Sequence, residues 1–310
     1  VARLLKKRHR VVAWNRSEAP RKEAEQLAPA AVSSLAELAG GLPAPRTVWL
    51  MVSHGAVDAV LDELLPHLSA GDTVIDGGNS FYKDSIRRAK RLGAAGVHFL
   101  DVGVSGGPAG ARNGACLMIG GERAIFEKHE PLFRDLSAEI LVRQHSNILQ
   151  NVGMLSKERG GETAYAYAYA YLGESGAGHF AKMVHNGIEY GMMQSLAEGM
   201  AVLKASPFHF DLNEVARIYN NRSVIESRLV GWLQSGLQKH ETDLKDISPT
   251  VAHTGEGQWT VEAAKELGVS VPIIEASLQF RKDSATHRSF IGKILSLLRG
   301  EFGGHEVGEK

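Results

Sequence analysis

Residues 71–107 read GDTVIDGGNSFYKDSIRRAKRLGAAGVHFLDVGVSGG, and this stretch decides the fold. It begins with a short apolar run, continues through a polar loop and a helix-like segment, and ends with a second apolar run followed by glycines. Short apolar runs that alternate with helical segments are typical of parallel strands buried on both faces. The stretch therefore predicts a strand–helix–strand unit of a parallel sheet.

The alternation extends toward the N-terminus and stops in the second half of the chain. Two further apolar runs, 11–14 and 47–53, precede the deciding stretch and are separated from it by helix-like segments. The later part of the chain has helical segments at 175–205, 211–234, 259–267 and 272–299. We therefore predict an α/β domain with a parallel sheet over residues 1–172 and an all-helical domain over residues 173–310.

Two neighbouring stretches depart from this alternation. Residues 141–163 are polar and weakly periodic, and we interpret them as a surface insertion. Residues 164–171 read AYAYAYAY, a strict alternation that predicts a strand. The low complexity of this tract is equally typical of an expanded repeat without a role.

Composition narrows the function classes. The 310-residue chain has 35 basic and 35 acidic residues, so no overall field favours nucleic acid or a membrane surface. Its single cysteine, Cys116, excludes an internal disulfide and fits a reducing, cytoplasmic compartment. No apolar run reaches the roughly 18 residues of a membrane span, and no signal peptide is visible.

The most informative motif is KMVHNGIEYG, residues 182–191, whose polar residues fall on one stripe of a helix. These residues are Lys182, His185, Asn186, Glu189 and Tyr190. A solvated helix face is the usual interpretation of such a stripe, but its mixture of residue types favours a functional cleft. Gly187 and Gly191 weaken a helix and make sense if another backbone or a ligand packs close to them.

Two glycine-containing loops follow predicted strands. They are Asp101–Gly107 (DVGVSGG) and Asp76–Ser80 (DGGNS). Loops at the carboxyl ends of parallel strands expose backbone N–H groups at the edge where ligands bind. Each loop alone is compatible with an ordinary turn between a strand and a helix. Because parallel strands end at the same edge, the two loops together predict a ligand site there.

A third loop follows the apolar run at 11–14. In a dinucleotide-binding fold, the end of this strand meets the adenosine ribose, where an arginine suits the extra phosphate of NADP and a carboxylate suits NAD. The turn offers Asn15, Arg16 and Ser17, and its first carboxylate is Glu18. A surface arginine without a role is the common alternative.

Together, KMVHNGIEYG (182–191), DVGVSGG (101–107) and VIDGGNSFYKDS (74–85) resemble the 6-phosphogluconate dehydrogenase family. Arg299, followed by GEFGGH with His305, is similar to the terminal substrate motif of that family, which reaches into the partner subunit. Arg281 is similar to its phosphate-binding arginine. The length resembles the short form of the family, which has one helical repeat.

The resemblance implies a Rossmann-like domain over 1–172 that binds NADP or NAD, followed by a helical domain over 173–310 for substrate binding and dimerisation. It implies oxidative decarboxylation of 6-phosphogluconate to ribulose 5-phosphate and CO2, as in the pentose phosphate pathway and gluconate utilization. The implied enzyme is a cytoplasmic homodimer or higher homo-oligomer that shares its tail between subunits, with no metal, nucleic acid or membrane partner.

The resemblance also implies residue roles. Lys182 is the general base that removes the proton of the 3-hydroxyl, and Glu189 is the general acid that protonates C1 of the enediol. The implied substrate-binding residues are Asn79, Ser105, Gly106, Gly107, His185, Asn186, Tyr190, Arg281, Arg299 and His305. The implied cofactor-binding residues are Asn15, Arg16, Ser17, Val52 and Asn79. A lysine base requires a pKa lowered toward neutrality by burial or a nearby cation.

Several positions depart from the family pattern. The first strand and the glycine-rich loop of the family do not precede Val1, so we expect a domain that is incomplete at its N-terminus, with weak cofactor binding if this is the whole molecule. Thr254 and Glu256 stand where the long form has a lysine and a threonine near the phosphate, and a glutamate would repel phosphate.

Two alternatives stay open from the sequence. One is a β-hydroxyacid dehydrogenase that does not decarboxylate, against which Glu189 and the Arg299–His305 tail argue. The other is an inactive truncated remnant that keeps the dimer fold. The beginning at Val1 and the AYAYAYAY tract favour the remnant.

Overall fold

A computed structural model describes residues 1–27, 31–142, 164–240, 243–251 and 255–304 of the chain. The chain divides into two compact units, Val1–Lys182 and Met183–Lys310. The division between them falls within the helix Ala177–Ala205, farther along the chain than the domain boundary predicted at residue 172.

The first unit is an α/β fold. Its strands are β1 (Ala13–Trp14), β2 (Ala31–Val32), β3 (Thr47–Leu50), β4 (Thr73–Asp76), β5 (His98–Ser105), β6 (Cys116–Gly121), β7 (Glu139–Val142), β8 (Ala164–Tyr167) and β9 (Tyr169–Gly173). Its helices are α1 (Ala2–Lys6), α2 (Glu18–Leu27), α3 (Leu35–Gly40), α4 (Val57–Leu64), α5 (Tyr82–Ala94), α6 (Gly107–Asn113) and α7 (Arg123–Leu136), and α8 (Ala177–Ala205) begins here.

Within the described residues, five strands form the main sheet, in the order β3-β4-β5-β6-β9. Strands β3, β4 and β5 are parallel, and Leu50, Asp76 and Asp101 lie side by side at one level of the sheet. Strands β1 and β2 form a separate parallel pair, and β7 and β8 form an antiparallel pair. The mostly parallel sheet confirms the predicted Rossmann-like class.

One strand corrects the prediction of a parallel sheet, because β6 runs antiparallel to β5. Residues 106–115 connect the two strands and contain the short helix α6. A crossover that returns a strand in the parallel direction needs about a dozen residues or more. This connection is too short for such a crossover, so the chain turns back beside β5.

The strands of the deciding stretch are buried on both faces, as predicted. All four residues of β4 are buried. Val74 packs in one hydrophobic cluster and its neighbour Ile75 in another. Since consecutive strand residues point to opposite faces, β4 has apolar packing on both sides. This explains why its sequence is an unbroken apolar run.

The AYAYAYAY tract forms strands, as its alternation predicts, with a break at Ala168 between β8 and β9. Two of its tyrosines are anchored by hydrogen bonds. The Tyr169 hydroxyl donates to Glu130 Oε1 at 2.8 Å, and the Tyr171 hydroxyl donates to the Gly121 carbonyl at 3.0 Å. The tract therefore contributes an edge of the main sheet. Residues 143–163, predicted as a surface insertion, lie outside the described part of the chain.

The second unit is helical throughout its described residues, as predicted. After the remainder of α8, its helices are α9 (Leu212–Tyr219), α10 (Arg228–Lys239), α11 (Glu256–Glu266), α12 (Pro272–Asp283) and α13 (Phe290–Gly303). A core cluster that includes Met193, Leu233, Ile294 and Leu298 joins residues of α8, α10 and α13. None of the described helices is long and apolar enough to span a bilayer.

Two helices predicted as continuous are broken. The predicted helix 211–234 ends at Tyr219, and Arg222 adopts a left-handed φ of 62°. Helix α10 then begins after Ser227, whose side chain accepts a hydrogen bond from the Val230 N–H. The predicted helix 272–299 breaks in the same way before Ser289, which caps α13. Serine caps offer the backbone an alternative to a continuous helix, and apolar periodicity does not reveal them.

Candidate active site

The polar stripe of α8 is turned away from solvent. Asn186 and Tyr190 are buried, and Lys182, His185 and Glu189 are half-buried. Two apolar residues on another face of the same helix, Ile188 and Met192, are 52% and 44% exposed, while Met183 is buried. A solvated helix face has the opposite distribution. The arrangement excludes an ordinary surface stripe and indicates a polar cleft.

Lys182 lies against the end of strand β5. A methyl group built on Gly103 would collide with Cβ of Lys182, so the lysine stem crosses the strand where a side chain is absent. Ser105, at the end of β5, is two residues farther along. In the first unit, the structure therefore brings Lys182 next to the loop that contains Ser105, Gly106 and Gly107.

The two glycine loops lie at the ends of adjacent strands, as the sequence predicts. Strands β4 and β5 pair in parallel, and the loop with Asn79 follows β4 while the loop with Ser105 follows β5. Gly106 and Gly107 have φ values of 136° and 59°, a region that favours glycine. The glycines are therefore required by the turn into α6.

The loop after β4 is held by an ion-pair network that the sequence did not reveal. Asp76 is fully buried and accepts hydrogen bonds from the Ser80 hydroxyl at 2.8 Å and the Gly78 N–H at 3.1 Å. Arg88, 1% exposed, contacts Asp76 at 3.3 Å and Asp58 at 3.0 Å. Hydrogen bonds from Arg88 and then Arg87 hold the pKa of Asp58 far below its usual range. Asp76 is thus a structural support for Asn79.

In the second unit, Tyr190 and Arg281 form a buried pair. The guanidinium carbon of Arg281 lies 3.4 Å from the centroid of the Tyr190 ring, and one of its nitrogens lies 3.5 Å from Met193 Sδ. Arg281 is 3% exposed. Within the described residues, the Tyr190 hydroxyl has no hydrogen-bond partner although it is buried. The pair is therefore a buried cation with an unsatisfied hydroxyl beside it.

The electrostatics of this pair favour an incoming anion. Burial lowers the pKa of Arg281 to about 10, and Arg299 adds to this, while Tyr190 and Glu189 oppose it. Burial also raises the pKa of Tyr190, which Arg281 opposes and Glu256 reinforces. A cation destabilised by burial and by a second cation gains from an anionic ligand. Glu256, predicted to repel phosphate, is buried close to this pair, whereas Thr254 lies outside the described residues.

Arg299, on α13, is 7% exposed and belongs to the same unit as Arg281. The resemblance assigns this residue to the site of a partner subunit, and within its own chain its charge acts to lower the pKa of both Arg281 and Tyr190. Residues 250–251 also link α13 to the end of α12. Ser296 of α13 donates to the Thr250 carbonyl at 3.2 Å, and the Val251 N–H donates to Ser284 at 2.9 Å. His305 lies outside the described residues.

Close packing against a side chain explains the first glycine of the motif, whereas the second has room for a methyl group. A methyl group on Gly187 would lie 2.6 Å from Thr260 Cγ2, and one on Gly191 would touch Ile273 at 3.4 Å. The Thr260 hydroxyl donates to the Met183 carbonyl at 2.7 Å and ties α11 to α8. On the same helix, His185 Nδ1 lies 3.7 Å from Glu189 Oε2 and 3.1 Å from Asn186 Oδ1.

The turn after β1 is shaped by a hydrogen bond within it and leaves its arginine exposed. Asn15 Oδ1 accepts the Ser17 N–H at 2.9 Å, which shapes the turn, and Arg16 is exposed. Glu18 lies 2.7 Å from Lys22, so its carboxylate is engaged within α2. Val52 follows β3, and its carbonyl lies 2.8 Å from where a methyl on Gly78 would stand. Val52 and the Asn79 loop are therefore neighbours.

Asp101 is a further polar residue of the first unit that sequence reasoning did not single out by role. It is fully buried in β5 and accepts the N–H groups of Gly176 and His179 at 2.7 and 2.8 Å. The signal was present, because a carboxylate inside an apolar strand must find a partner. No group of three or more potential metal ligands occurs among the residues that the structure describes.

Comparisons with known proteins agree with this geometry. The family model described as the NAD-binding domain of 6-phosphogluconate dehydrogenase matches residues 1–146, and the model of the C-terminal domain of that enzyme matches residues 178–296. A putative 6-phosphogluconate dehydrogenase of Bacillus subtilis is 43% identical over 302 residues, which cover 97% of this chain and 92% of the relative.

Two further proteins extend the comparison. The NAD(+)-dependent, decarboxylating 6-phosphogluconate dehydrogenase of Haloferax volcanii is 37% identical over 311 residues, covering 100% of this chain and 94% of the relative. The structure of Plasmodium falciparum 6-phosphogluconate dehydrogenase, described with NADP+ and with 6-phosphogluconate, has a TM-score of 0.76 at 29% identity. That match covers 91% of this chain, which spans 58% of the length of the Plasmodium chain.

A domain of this type and a lysine beside the glycine loop define an NAD(P)-dependent oxidoreductase. On the two family models and these relatives, the chain belongs to the 6-phosphogluconate dehydrogenase family.

Proposed function

We propose that this protein oxidises and decarboxylates 6-phosphogluconate to ribulose 5-phosphate and CO2, with NADP as the preferred cofactor. The observation that carries the proposal is the inverted exposure of α8, whose polar stripe is buried or half-buried while Ile188 and Met192 are exposed. Lys182 and Glu189 of that stripe stand seven residues apart, or about two helical turns. An amine and a carboxylate at this spacing suit the two proton transfers of the reaction.

Lys182 takes the first proton. As a neutral amine beside the Ser105 loop, it removes the proton of the 3-hydroxyl while C3 is oxidised. The resulting ammonium then polarises the new C3 carbonyl, so that the electrons of the C1–C2 bond flow toward C3 as CO2 leaves. Glu189 protonates the enediol carbon that lost CO2, which completes ribulose 5-phosphate.

The phosphate end of the substrate belongs at Tyr190, Arg281 and Arg299. A dianionic phosphate would supply a counter-charge to the two buried guanidinium groups. It would also accept a hydrogen bond from the unsatisfied hydroxyl of Tyr190. Asn79, Ser105, Gly106, Gly107, His185 and Asn186 are the proposed contacts for the sugar acid. His305, in the C-terminal tail, is proposed as a further contact of the substrate phosphate.

Bound NADP would supply the hydride acceptor. Asn15, Arg16 and Ser17 would hold its adenosine phosphate, and Val52 and Asn79 would line the path toward the substrate. We expect Arg16→Ala to reduce the preference for NADP over NAD by about tenfold, the value of one charge-assisted contact. The measurement is kcat/KM for both cofactors, with the exposed Arg217→Ala as the control. An unchanged preference contradicts the role of Arg16.

A homodimer or higher homo-oligomer is proposed for the assembly. Whether the tail serves its own or the partner's site is decided by mixing Lys182→Ala and Arg299→Ala subunits. If Arg299 acts across the interface, the mixed dimer has one intact site and regains about half of the wild-type activity. If Arg299 acts within its own chain, the mixed dimer stays inactive.

Substitutions on α8 test the reaction itself. Lys182→Ala and Glu189→Ala should each reduce turnover of 6-phosphogluconate by at least about 100-fold, the typical contribution of a general acid or base. The exposed Lys265→Ala is the control and should keep full activity. Substantial turnover by Lys182→Ala removes the assigned base.

A β-hydroxyacid dehydrogenase that does not decarboxylate is the second candidate, and Glu189 discriminates. Such an enzyme has no need of an acid at C1. Oxidation of a different hydroxyacid without CO2 release, insensitive to Glu189→Ala, would support it.

A further inference from the structure

The first turn of α8 crosses strands β5 and β6 at backbone contact. A methyl group on Gly178 would collide with the carbonyls of Asp101 and Met118, and one on Gly120 would lie 2.7 Å from the Gly178 N–H. A methyl group on Gly103 would likewise collide with Cβ of Lys182. Three positions without side chains therefore let the helix rest directly on the strands.

A buried polar cluster fixes where along the strand the helix rests. The carboxylate of Asp101 accepts the N–H groups of Gly176 and His179, at the beginning of α8. These donors would otherwise be unsatisfied at a helix terminus. Since Asp101 and Gly103 point to the same face of β5, the carboxylate and the seat of Lys182 are adjacent on that face.

The side chain of His179 adds a second attachment to a different element. Its Nδ1 is hydrogen-bonded to the hydroxyl of Ser85, on α5, at 2.6 Å. Both residues are buried, with 1% exposure for His179 and none for Ser85. His179 therefore joins the start of α8 to β5 through its backbone and to α5 through its ring.

We propose that Asp101, His179 and Ser85 are positioning residues that fix helix α8 on strand β5 at the register that places Lys182 beside the Ser105 loop. The inference rests on the proposed function of Lys182 as the base. Lys182 follows His179 by three residues, close to one turn, so a shift of the helix start displaces the amine directly. A displacement of about 1 Å in such a group costs on the order of 100-fold in rate.

Asp101→Asn is the first test. The amide offers one acceptor for two N–H donors, and it removes a negative charge near Lys182. We expect kcat to fall by about 10–100-fold with KM for 6-phosphogluconate within about twofold. Loss of the carboxylate destabilises the ammonium form, so the pKa of Lys182 should decrease and the acid limb of the pH profile should move to lower pH.

The ring of His179 supplies a graded test in case Asp101→Asn does not fold. Nε2 of His179 has no hydrogen-bond partner among the described residues, so the proposed positioning role depends on the contact of Nδ1 with Ser85. His179→Asn keeps a polar atom near that position and should retain most of kcat, whereas His179→Leu and Ser85→Ala should lose it. Gly199→Ala, on the same helix with nothing within 4 Å, is the matched control and should keep wild-type kcat.

The deciding readout does not depend on turnover. The Lys182 side chain is titrated by NMR in protein labelled with ¹³C-lysine, with Lys182→Arg used to assign the resonance. A shifted pKa of Lys182 in folded His179→Leu, which breaks the Ser85 contact without removing a carboxylate, supports positioning even if wild type does not oxidise 6-phosphogluconate. Folded Asp101→Asn and His179→Leu proteins with wild-type kcat, pH profile and lysine titration would overturn it.

Discussion

Arg88 in the first unit and Arg281 in the second are both almost fully buried, at 1% and 3% exposure, but their surroundings differ. Arg88 contacts the carboxylates of Asp58 and Asp76 at 3.0 and 3.3 Å. Arg281 lies over the Tyr190 ring and near Met193 Sδ, and in the described part of the chain no carboxylate is hydrogen-bonded to it.

We propose that the difference separates a structural cation from a ligand-binding one. A buried charge is costly unless it is paired, and Arg88 is paired by the fold itself. Arg281 is held by apolar packing and an aromatic face, with a second arginine acting on it. Its counter-charge is therefore expected from a ligand. Burial alone does not distinguish the two arginines, whereas the presence or absence of a carboxylate partner does.

The largest effect is expected when the paired arginine is removed. Arg88→Met should lower the free energy of unfolding by about 3–5 kcal/mol, because it leaves the buried carboxylate of Asp76 without its cation. Arg87→Met, on the same helix and 52% exposed, is the matched control and should cost less than about 1 kcal/mol. Urea unfolding measures both. Equal effects would erase the distinction between buried and exposed pairs.

Removal of the unpaired arginine should act on binding and not on folding. Arg281→Met should weaken kcat/KM for 6-phosphogluconate by about 100-fold, roughly the 2–3 kcal/mol of a charge-assisted contact. Its free energy of unfolding should be unchanged or higher, because a buried cation without a carboxylate partner is replaced by an apolar side chain. A strongly destabilised Arg281→Met protein would show that Arg281 is a structural cation, as Arg88 is.

An anion alone should distinguish the two arginines. Inorganic phosphate should stabilise wild type against thermal unfolding by about 1.4 kcal/mol at ten times its Kd. Arg281→Met should show no such stabilisation, and Arg217→Ala should show the full amount. Differential scanning fluorimetry with sulfate and chloride series separates binding from general salt effects. Equal stabilisation of wild type and Arg281→Met places phosphate elsewhere.

A third pair, Arg46 with Asp72, predicts a smaller loss of stability than the Arg88 pair, together with a pH dependence. Burial raises the pKa of Asp72, but the N–H groups of Arg46 and Ser69 and the Arg46 guanidinium outweigh it, so the net pKa is lowered. A lowered carboxylate pKa contributes stability above its unfolded value, about 3.9, and loses it as the pH falls through the folded pKa.

Asp72→Asn should therefore cost about 1–3 kcal/mol at pH 6 and less at pH 3. Urea unfolding at the two pH values checks this. An equal cost at both would show that Asp72 acts through packing and not through its charge.

The local features of the fold were predictable from sequence. Apolar runs locate β3, β4 and β5, and the KMVHNGIEYG spacing defines the buried stripe of α8. The reversal of β6 and the breaks at residues 220–227 and 284–289 were not predicted, because a short connection and serine caps do not change apolar periodicity. The resemblance singled out Arg281, but composition and periodicity did not show why it differs from Arg88, since the difference lies in residues distant along the chain.

The most direct test of the account is the stoichiometry of products from 6-phosphogluconate. Purified protein is mixed with 6-phosphogluconate and NADP, and NADPH and CO2 are followed together in wild type and Lys182→Ala. The account predicts one CO2 for each NADPH in wild type and neither in Lys182→Ala. NADPH without CO2, or equal product from both proteins, would contradict it.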